Sequence, residues 1–308
     1  MSNPRPLIHI GYPKAASTWL QQVIFKDGNA GFIAPWGVHS LEALKQFAFP
    51  NPFRFSAESA RQVFEPGLQE AARKNLVPVL SREALVGNPI WGHYWGKDVA
   101  DRMHAVFPEA KIFIIIREQK SMLMSCYRHY IKVGGTATLQ QFIGLEGKRS
   151  HLEGTCRLDF FEFHLLLDYY LNLFGTDNVL ILPFELLKLD PPSFCQKFFD
   201  FAGSQGTPDL SQASKNVGYK GGWLTFRRQL NFLAGPGSHP LLRRIKLSSL
   251  SYKVLTEVEK ILPEGIDQSL EEEWKEAIDK HVGNSFAESN QLTSKLIGMN
   301  LGDLGYDC

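Results

Sequence analysis

Four short apolar or β-branched runs, 7–10 LIHI, 77–81 VPVLS, 111–116 KIFIII and 178–182 NVLIL, are each followed by a turn signal and a helical pattern. That alternation is the one expected of a parallel sheet with crossover helices. The helix after the first run starts near Ser17. Others are KDVADRMHAVF, SMLMSCYRHYIKV, the amphipathic RLDFFEFHLLLDYYLNLF, and PPSFCQKFFDFAG, in which proline opens and glycine closes the helix. The order β-α-β-α-β-α-α-β-α predicts an α/β fold, a central parallel β-sheet flanked by helices. From about residue 204 the strand signal stops, and GSQGTPDLSQASKNVGYKGGW reads as a long polar loop before a helical C-terminal third. With 44% hydrophobic residues in 308, the chain can bury a large core, and 1–308 is read as one domain.

Residues 28–75, rich in Phe, Pro and Gly, interrupt the first and second strands, with helical pieces around 40–47 and 56–73. This insertion is expected to line a substrate pocket. Its aromatics Phe32, Trp36, Phe47, Phe49, Phe53 and Phe55, with Trp91, Tyr94 and Trp95, suit either that pocket or the core. Charge is balanced, 33 basic against 32 acidic residues for a net of +1, so no global field points to nucleic acid or an acidic membrane. Any anion site must be local. Cys126, Cys156, Cys195 and Cys308 are scattered, without a C-x-x-C pair or a histidine at zinc-ligand spacing. Free thiols and no metal are expected. MSNPRPLIHI lacks the character of a signal peptide and no run approaches membrane-spanning length, so a cytoplasmic location is expected.

The first strand breaks at Gly11-Tyr12-Pro13 and resumes through Lys14-Ala15-Ala16-Ser17-Thr18 as a helix. A strand–loop–helix of this kind presents free backbone N–H groups and a positive dipole end at the carboxyl edge of a parallel sheet, a P-loop-like phosphate cradle. Small side chains at Ala15 and Ala16 admit an anion, Ser17 and Thr18 add hydroxyl donors, and Lys14 supplies a movable positive charge. An ordinary strand-helix turn with a serine cap fits the same stretch. A triphosphate loop instead ends G-K-[ST]; here lysine precedes the small residues, which disfavours Mg²⁺-triphosphate chemistry. At the end of the third run, IIIREQKSMLMSCYRHY puts Arg117 at the same sheet edge and Ser125 eight residues later.

Together these elements resemble the sulfotransferase family that uses 3′-phosphoadenosine 5′-phosphosulfate (PAPS) and releases 3′-phosphoadenosine 5′-phosphate (PAP). The family's Pro-Lys-x-[Gly/Ala]-[Thr/Ser]-Thr-Trp-Leu loop, which binds the 5′-phosphosulfate, is matched by Pro13-Lys14-Ala15-Ala16-Ser17-Thr18-Trp19-Leu20. Its arginine and serine eight residues apart, which bind the 3′-phosphate, are matched by Arg117 and Ser125. NVLILPFELLKLDPPSFCQKFFDFAG is similar to the family's late strand, acidic-Leu turn and Phe-rich helix, and the terminal LGDLGYD to endings of bacterial members. Three positions depart from the pattern. Ala16 replaces the usual glycine, Phe184 stands where a tyrosine often lies near adenine, and of the late Arg-Lys-Gly loop only Lys220-Gly221 match.

The resemblance implies in-line sulfuryl transfer to a hydroxyl or amine of a small-molecule, lipid or glycan acceptor. Lys14 would stabilise the leaving phosphate oxygen, Arg117 and Ser125 would grip the 3′-phosphate, with Lys220 a weaker match, and Trp19 would stack on adenine or else pack in the core. The base belongs at the end of the second strand, where Ser81, Arg82 and Glu83 lie; Glu83 is the assigned base, helped if burial or neighbours raise its pKa, while an ion pair with Arg82 or a helix-start glutamate beside the dipole fits the same residue. His93 and His39 are rivals. His129 and Arg128 are expected to face solvent or neighbouring helices, and LLRRIK at 241–246 and the pair Arg227-Arg228 to be solvated helix faces. A nucleotide-dependent phosphotransferase and a non-catalytic nucleotide-binding homologue are the alternatives.

Overall fold

The computed structural model of the chain describes residues 4–26, 28–144, 156–204, 224–225, 227–229, 231 and 264–308. Its five strands are β1 (Leu7–His9), β2 (Phe32–Ile33), β3 (Val77–Ser81), β4 (Lys111–Ile116) and β5 (Val179–Pro183). They form one all-parallel sheet in the order β2-β3-β1-β4-β5. Four strands fall where the apolar runs place them. The fifth, β2, is two residues inside the insertion, too short for any periodicity to mark it. It extends the sheet beyond β3 through Phe32↔Val77 and Ile33↔Pro78.

The sheet is buried on both faces, so its strands alternate between two cores. Ile8, Leu80, Ile112, Ile114 and Ile116 point into the larger one. Leu7, Val79, Phe113 and Ile115 point into the smaller, closed by Leu20, Ile24 and Phe25 and by the Phe-rich helix Pro191–Ala202. That helix has Asp190 as its cap and Gly203 at φ 73° as its stop, the proline-in, glycine-out pattern of the sequence. The chain leaves β1 on one side to form β3, then crosses to form β4 on the other. The crevice between the carboxyl ends of β1 and β4 is therefore the switch point at which open α/β sheets bind ligands.

Most of the insertion is structural. Phe32 and Phe47 are buried, Phe47 stacks on Phe64 at 5.4 Å, and Trp36 meets Phe64 edge-on. A side chain at Gly67 would come within 2.6 Å of the Trp36 ring, so the helix Ala57–Lys74 uses glycine there to seat the indole. Buried Arg102 donates to the Phe47 carbonyl at 2.9 Å and lies over Phe55 at 5.2 Å. Phe49, Phe53 and Trp91 remain exposed. The insertion also reaches the carboxyl edge of the sheet, because the Ser40 amide donates to the Ser81 carbonyl at 3.0 Å.

Helices Glu264–Val282 and Ala287–Ile297 carry the chain to its end. No described helix is long and apolar enough to cross a membrane. The four cysteines are unbonded, Cys126, Cys156 and Cys195 buried and Cys308 exposed. Burial pushes the Cys126 thiol up to about 12, which leaves it protonated and unreactive.

Candidate active site

The loop after β1 stays against β4 to the sheet edge, Ile10 donating to Phe113 and Tyr12 to Ile115, both at 3.1 Å. Tyr12 is anchored between Phe160 and Phe163. Beyond Pro13 the backbone turns sharply. Lys14 and Ala16 sit at φ 65° and 58°, two of only three non-glycine residues with positive φ among those described. The amides of Lys14, Ala15, Ala16, Ser17 and Thr18 find no carbonyl acceptor, and the helical turn Ser17–Trp19 has no side-chain cap. Alternating left-handed residues ahead of an uncapped turn make a concave nest of N–H donors, the geometry that takes a tetrahedral anion. The Ser17 hydroxyl is buried there without a partner. The serine cap that would make this an ordinary turn is absent.

A left-handed backbone costs an L-residue about 1–2 kcal/mol, part of which glycine returns as unfolded-state entropy. Ala16→Gly is therefore expected to stabilise the protein by about 0.5–1 kcal/mol in urea unfolding.

Arg117, on the crossing from β4 to the helix Gln119–Lys132, donates from Nη1 to the Lys14 carbonyl at 2.9 Å. The two sequence motifs are thus joined by a direct bond. The guanidinium lies 5.1 Å over the Phe184 ring, which Lys188 also approaches at 4.6 Å. Arg117 Nε is buried without an acceptor. Behind it Glu185 accepts from the Glu118 amide at 3.2 Å and from the Tyr306 hydroxyl at 2.8 Å. The C-terminal segment so braces the acidic residue facing Arg117, and Lys120 holds it again through Asp307 at 2.8 Å. Ser125 is half-buried on the following helix. Trp19 is only 6% exposed, its ring edge-on to Phe194 in the smaller core.

The ammonium of Lys14 and the carboxylate of Glu83 influence one another electrostatically across the crevice. Lys14 is exposed to solvent, and partial desolvation by the walls around it lowers its pKa, as do the charges of Lys132 and Arg117. Glu83 opens a short helical turn after β3 and accepts from Gln21 Nε2 at 3.3 Å. Burial alone would raise its pKa, but its own backbone amide, Arg82, Gln21 and His9 outweigh burial and hold it below the ordinary glutamate value. The carboxylate is therefore ionised at neutral pH rather than tuned upward, a correction to the expected means of making it a base.

His129 also belongs to this crevice. It is half-buried one turn beyond Ser125 on the same helix face, and Lys14, Lys132 and Glu83 all act on its ring. Burial and the two lysines push its pKa down to about 4, so it is neutral at pH 7. A solvent or packing role was the sequence expectation; its i, i+4 spacing from Ser125 was the signal available. Arg128 points away to Glu271 at 2.7 Å. His93 is exposed and stacked on Trp95 at 4.4 Å, and His39 is exposed. Arg227 and Arg228 are not a solvated face. They donate to the carbonyls of Lys132 and Thr136 at 2.8 and 3.4 Å, closing the C-terminal end of the helix that carries Ser125. Lys220, the loop around it and 241–246 lie outside the described residues. A cavity of about 150 Å³ behind Tyr12, lined by Val86, Tyr94, Asp159, Phe160 and Glu162, touches none of Lys14, Glu83, Arg117 or Ser125.

Among solved structures, the chain is similar over 99% of its length, and 99% of the other's, to a sulfotransferase from Alicyclobacillus acidocaldarius, with a TM-score of 0.57 at 17% identity. It is also similar to a sulfotransferase domain of the curacin biosynthetic pathway, with a TM-score of 0.43 at 17% identity over 70% of this chain and 79% of that one. A mouse sulfotransferase, SULT7A1, complexed with PAP, matches with a TM-score of 0.36 at 18% identity over 88% of each chain. No family model and no curated protein matches. The five-stranded parallel sheet with its flanking helices is the sulfotransferase fold.

Proposed function

We propose that this chain is a PAPS-dependent sulfotransferase, moving a sulfuryl group to a hydroxyl or amine acceptor by in-line displacement. The observation that supports the reading is the uncapped nest at Lys14 to Thr18 bonded directly to Arg117 at the switch point, an arrangement suited to anions. Lysine placed before the small residues suits a phosphosulfate better than a Mg²⁺-triphosphate. The five amides and the Ser17 and Thr18 hydroxyls would hold the 5′ end of the nucleotide. Arg117 and Ser125 would hold the 3′-phosphate, with Lys220 as a further contact, and Phe184 would offer ring surface near the base, whereas Trp19 takes the core role that the sequence left open.

In this reading Lys14 is the cation that moves onto the departing phosphate oxygen, and Glu83, ionised and facing the same crevice, takes the acceptor's proton. The insertion, tied to Ser81 through Ser40, would wall the acceptor side, and small-molecule, lipid and glycan alcohols all suit such a site. A reducing, cytoplasmic setting agrees with four unpaired thiols.

The test is an acceptor screen with a radiolabelled sulfuryl donor. Label transfer supports the reading, and transfer from γ-labelled ATP instead would support the phosphotransferase alternative. Arg117→Met is expected to weaken PAP binding about 10- to 100-fold, the cost of a charge-assisted contact, while binding of adenosine 5′-phosphate changes little. Calorimetric titration with both nucleotides checks this.

A further inference from the structure

Three polar side chains are buried, with 0% exposure, where an open α/β sheet would ordinarily place apolar ones: His9, Gln21 and Ser81. The register explains how two of them meet. His9 and Ser81 are partners on the adjacent parallel strands β1 and β3, so their side chains share the face of the smaller core, with Nδ1 and Oγ 2.9 Å apart. The π-type turn Leu20–Ile24, which continues the helix after the Lys14 loop, drops Gln21 onto them. Its Nε2 lies 3.0 Å from Ser81 Oγ and 3.3 Å from Glu83 Oε2.

Proton counting fixes the Gln21 end of this chain. The Gln21 amide nitrogen has two protons, and one goes to each oxygen. Ser81 therefore accepts from Gln21 and shares a second hydrogen bond with His9 Nδ1, whose direction follows the imidazole tautomer; the other ring nitrogen is Nε2. That nitrogen is buried without a partner, and a side chain at Gly11 would come within 3.0 Å of it, so the loop's glycine closes over the ring. Phe25 and Phe113 flank the imidazole at 5.7 and 5.8 Å. Apolar residues at these positions would pack the core without leaving His9 Nε2 and Gln21 Oε1 unsatisfied. The network costs stability, and its one outlet is Glu83.

We propose that Gln21, braced by Ser81 and His9, is a positioning residue that fixes the Glu83 carboxylate in one orientation facing the acceptor side of the crevice. The inference rests on the reading of Glu83 as base. The groups that face this carboxylate are Arg82 beside it, His9 from β1, Gln21 and Lys14 from the loop and helix after β1, and His129 from the helix after β4. Of these only Gln21 donates to it from a side chain at hydrogen-bond distance. Removing that donor destabilises the ionised form, so the carboxyl must titrate at higher pH.

Two measurements on the full chain test this: the ¹³C titration of the Glu83 carboxyl, and the pH profile of kcat/KM for sulfuryl transfer. In Gln21→Met the carboxyl titration and the acid limb of kcat/KM are expected to move together to higher pH. The expected kcat falls roughly tenfold at neutral pH with PAP affinity unchanged. Ser81→Ala, which deletes one oxygen and frees the Gln21 amide, moves both the same way and decides the question if Gln21→Met does not fold. A carboxyl titration and acid limb both matching wild type in a folded variant overturn the inference. A carboxyl that moves while Glu83→Gln turns over like wild type upholds the network and overturns the assignment of Glu83 as base.

Discussion

Lys14→Ala is expected to lower kcat for sulfuryl transfer about 10²- to 10³-fold, equivalent to about 3–4 kcal/mol of transition-state stabilisation. Charge on the leaving phosphate oxygen grows only as the bond breaks, so a cation that follows it acts mainly on the transition state. PAP affinity should fall much less, because the nest amides and Arg117 remain. Steady-state kinetics beside calorimetric PAP titration separates the two effects; a variant that loses binding and keeps kcat would make Lys14 a binding residue alone. Partial desolvation and the charges of Lys132 and Arg117 lower the pKa of the exposed Lys14. As the cation on the leaving group Lys14 would act protonated, so kcat/KM, which reports the free enzyme, should fall on the alkaline side at a pH below that of an ordinary lysine. The fall should vanish in Lys14→Ala.

Glu83→Gln should cost about 10²- to 10⁴-fold in kcat, the range for a lost general base, with PAP binding intact. The amide keeps the shape and the bond from Gln21 but cannot accept the acceptor's proton. As a general base Glu83 would act in its ionised form, and its pKa is held below the ordinary value. Activity should therefore stay level through neutral pH and fall only as the pH drops through that lowered pKa. Single-turnover sulfation across the acid range measures this, and undiminished turnover in Glu83→Gln would remove the residue from the chemistry.

The sheet was legible in the sequence because strands buried on both faces are written as dense apolar runs, as in KIFIII for β4. The two-residue β2 has no such signature. Arg117 and the Lys14 loop stood out because each ends a strand at the switch point, where turn residues and helix starts are local signals. The rest of the site depends on contacts between distant segments. Nothing local marks Gln21, which a π-type turn and the β1–β3 register bury against Ser81, sixty positions away in the chain. His129 reads as facing solvent or a neighbouring helix, and the packing of its helix across the β1 loop brings it within electrostatic reach of Lys14 and Glu83. Aromatics of the insertion were ambiguous for the same reason. Phe47 and Phe53 have the same local chemistry, and only the presence of Phe64 opposite one of them decides which is buried.

The central claim is that the nest at Lys14 to Thr18 and Arg117 together hold a nucleotide with phosphate on both sides of its ribose. Calorimetric titration of the wild-type chain with PAP, adenosine 5′-phosphate and Mg²⁺-ATP tests it most directly. PAP should bind one-to-one and at least tenfold more tightly than either of the others, the contribution of one charge-assisted site. No detectable heat with PAP, or tighter binding of Mg²⁺-ATP, would contradict the account.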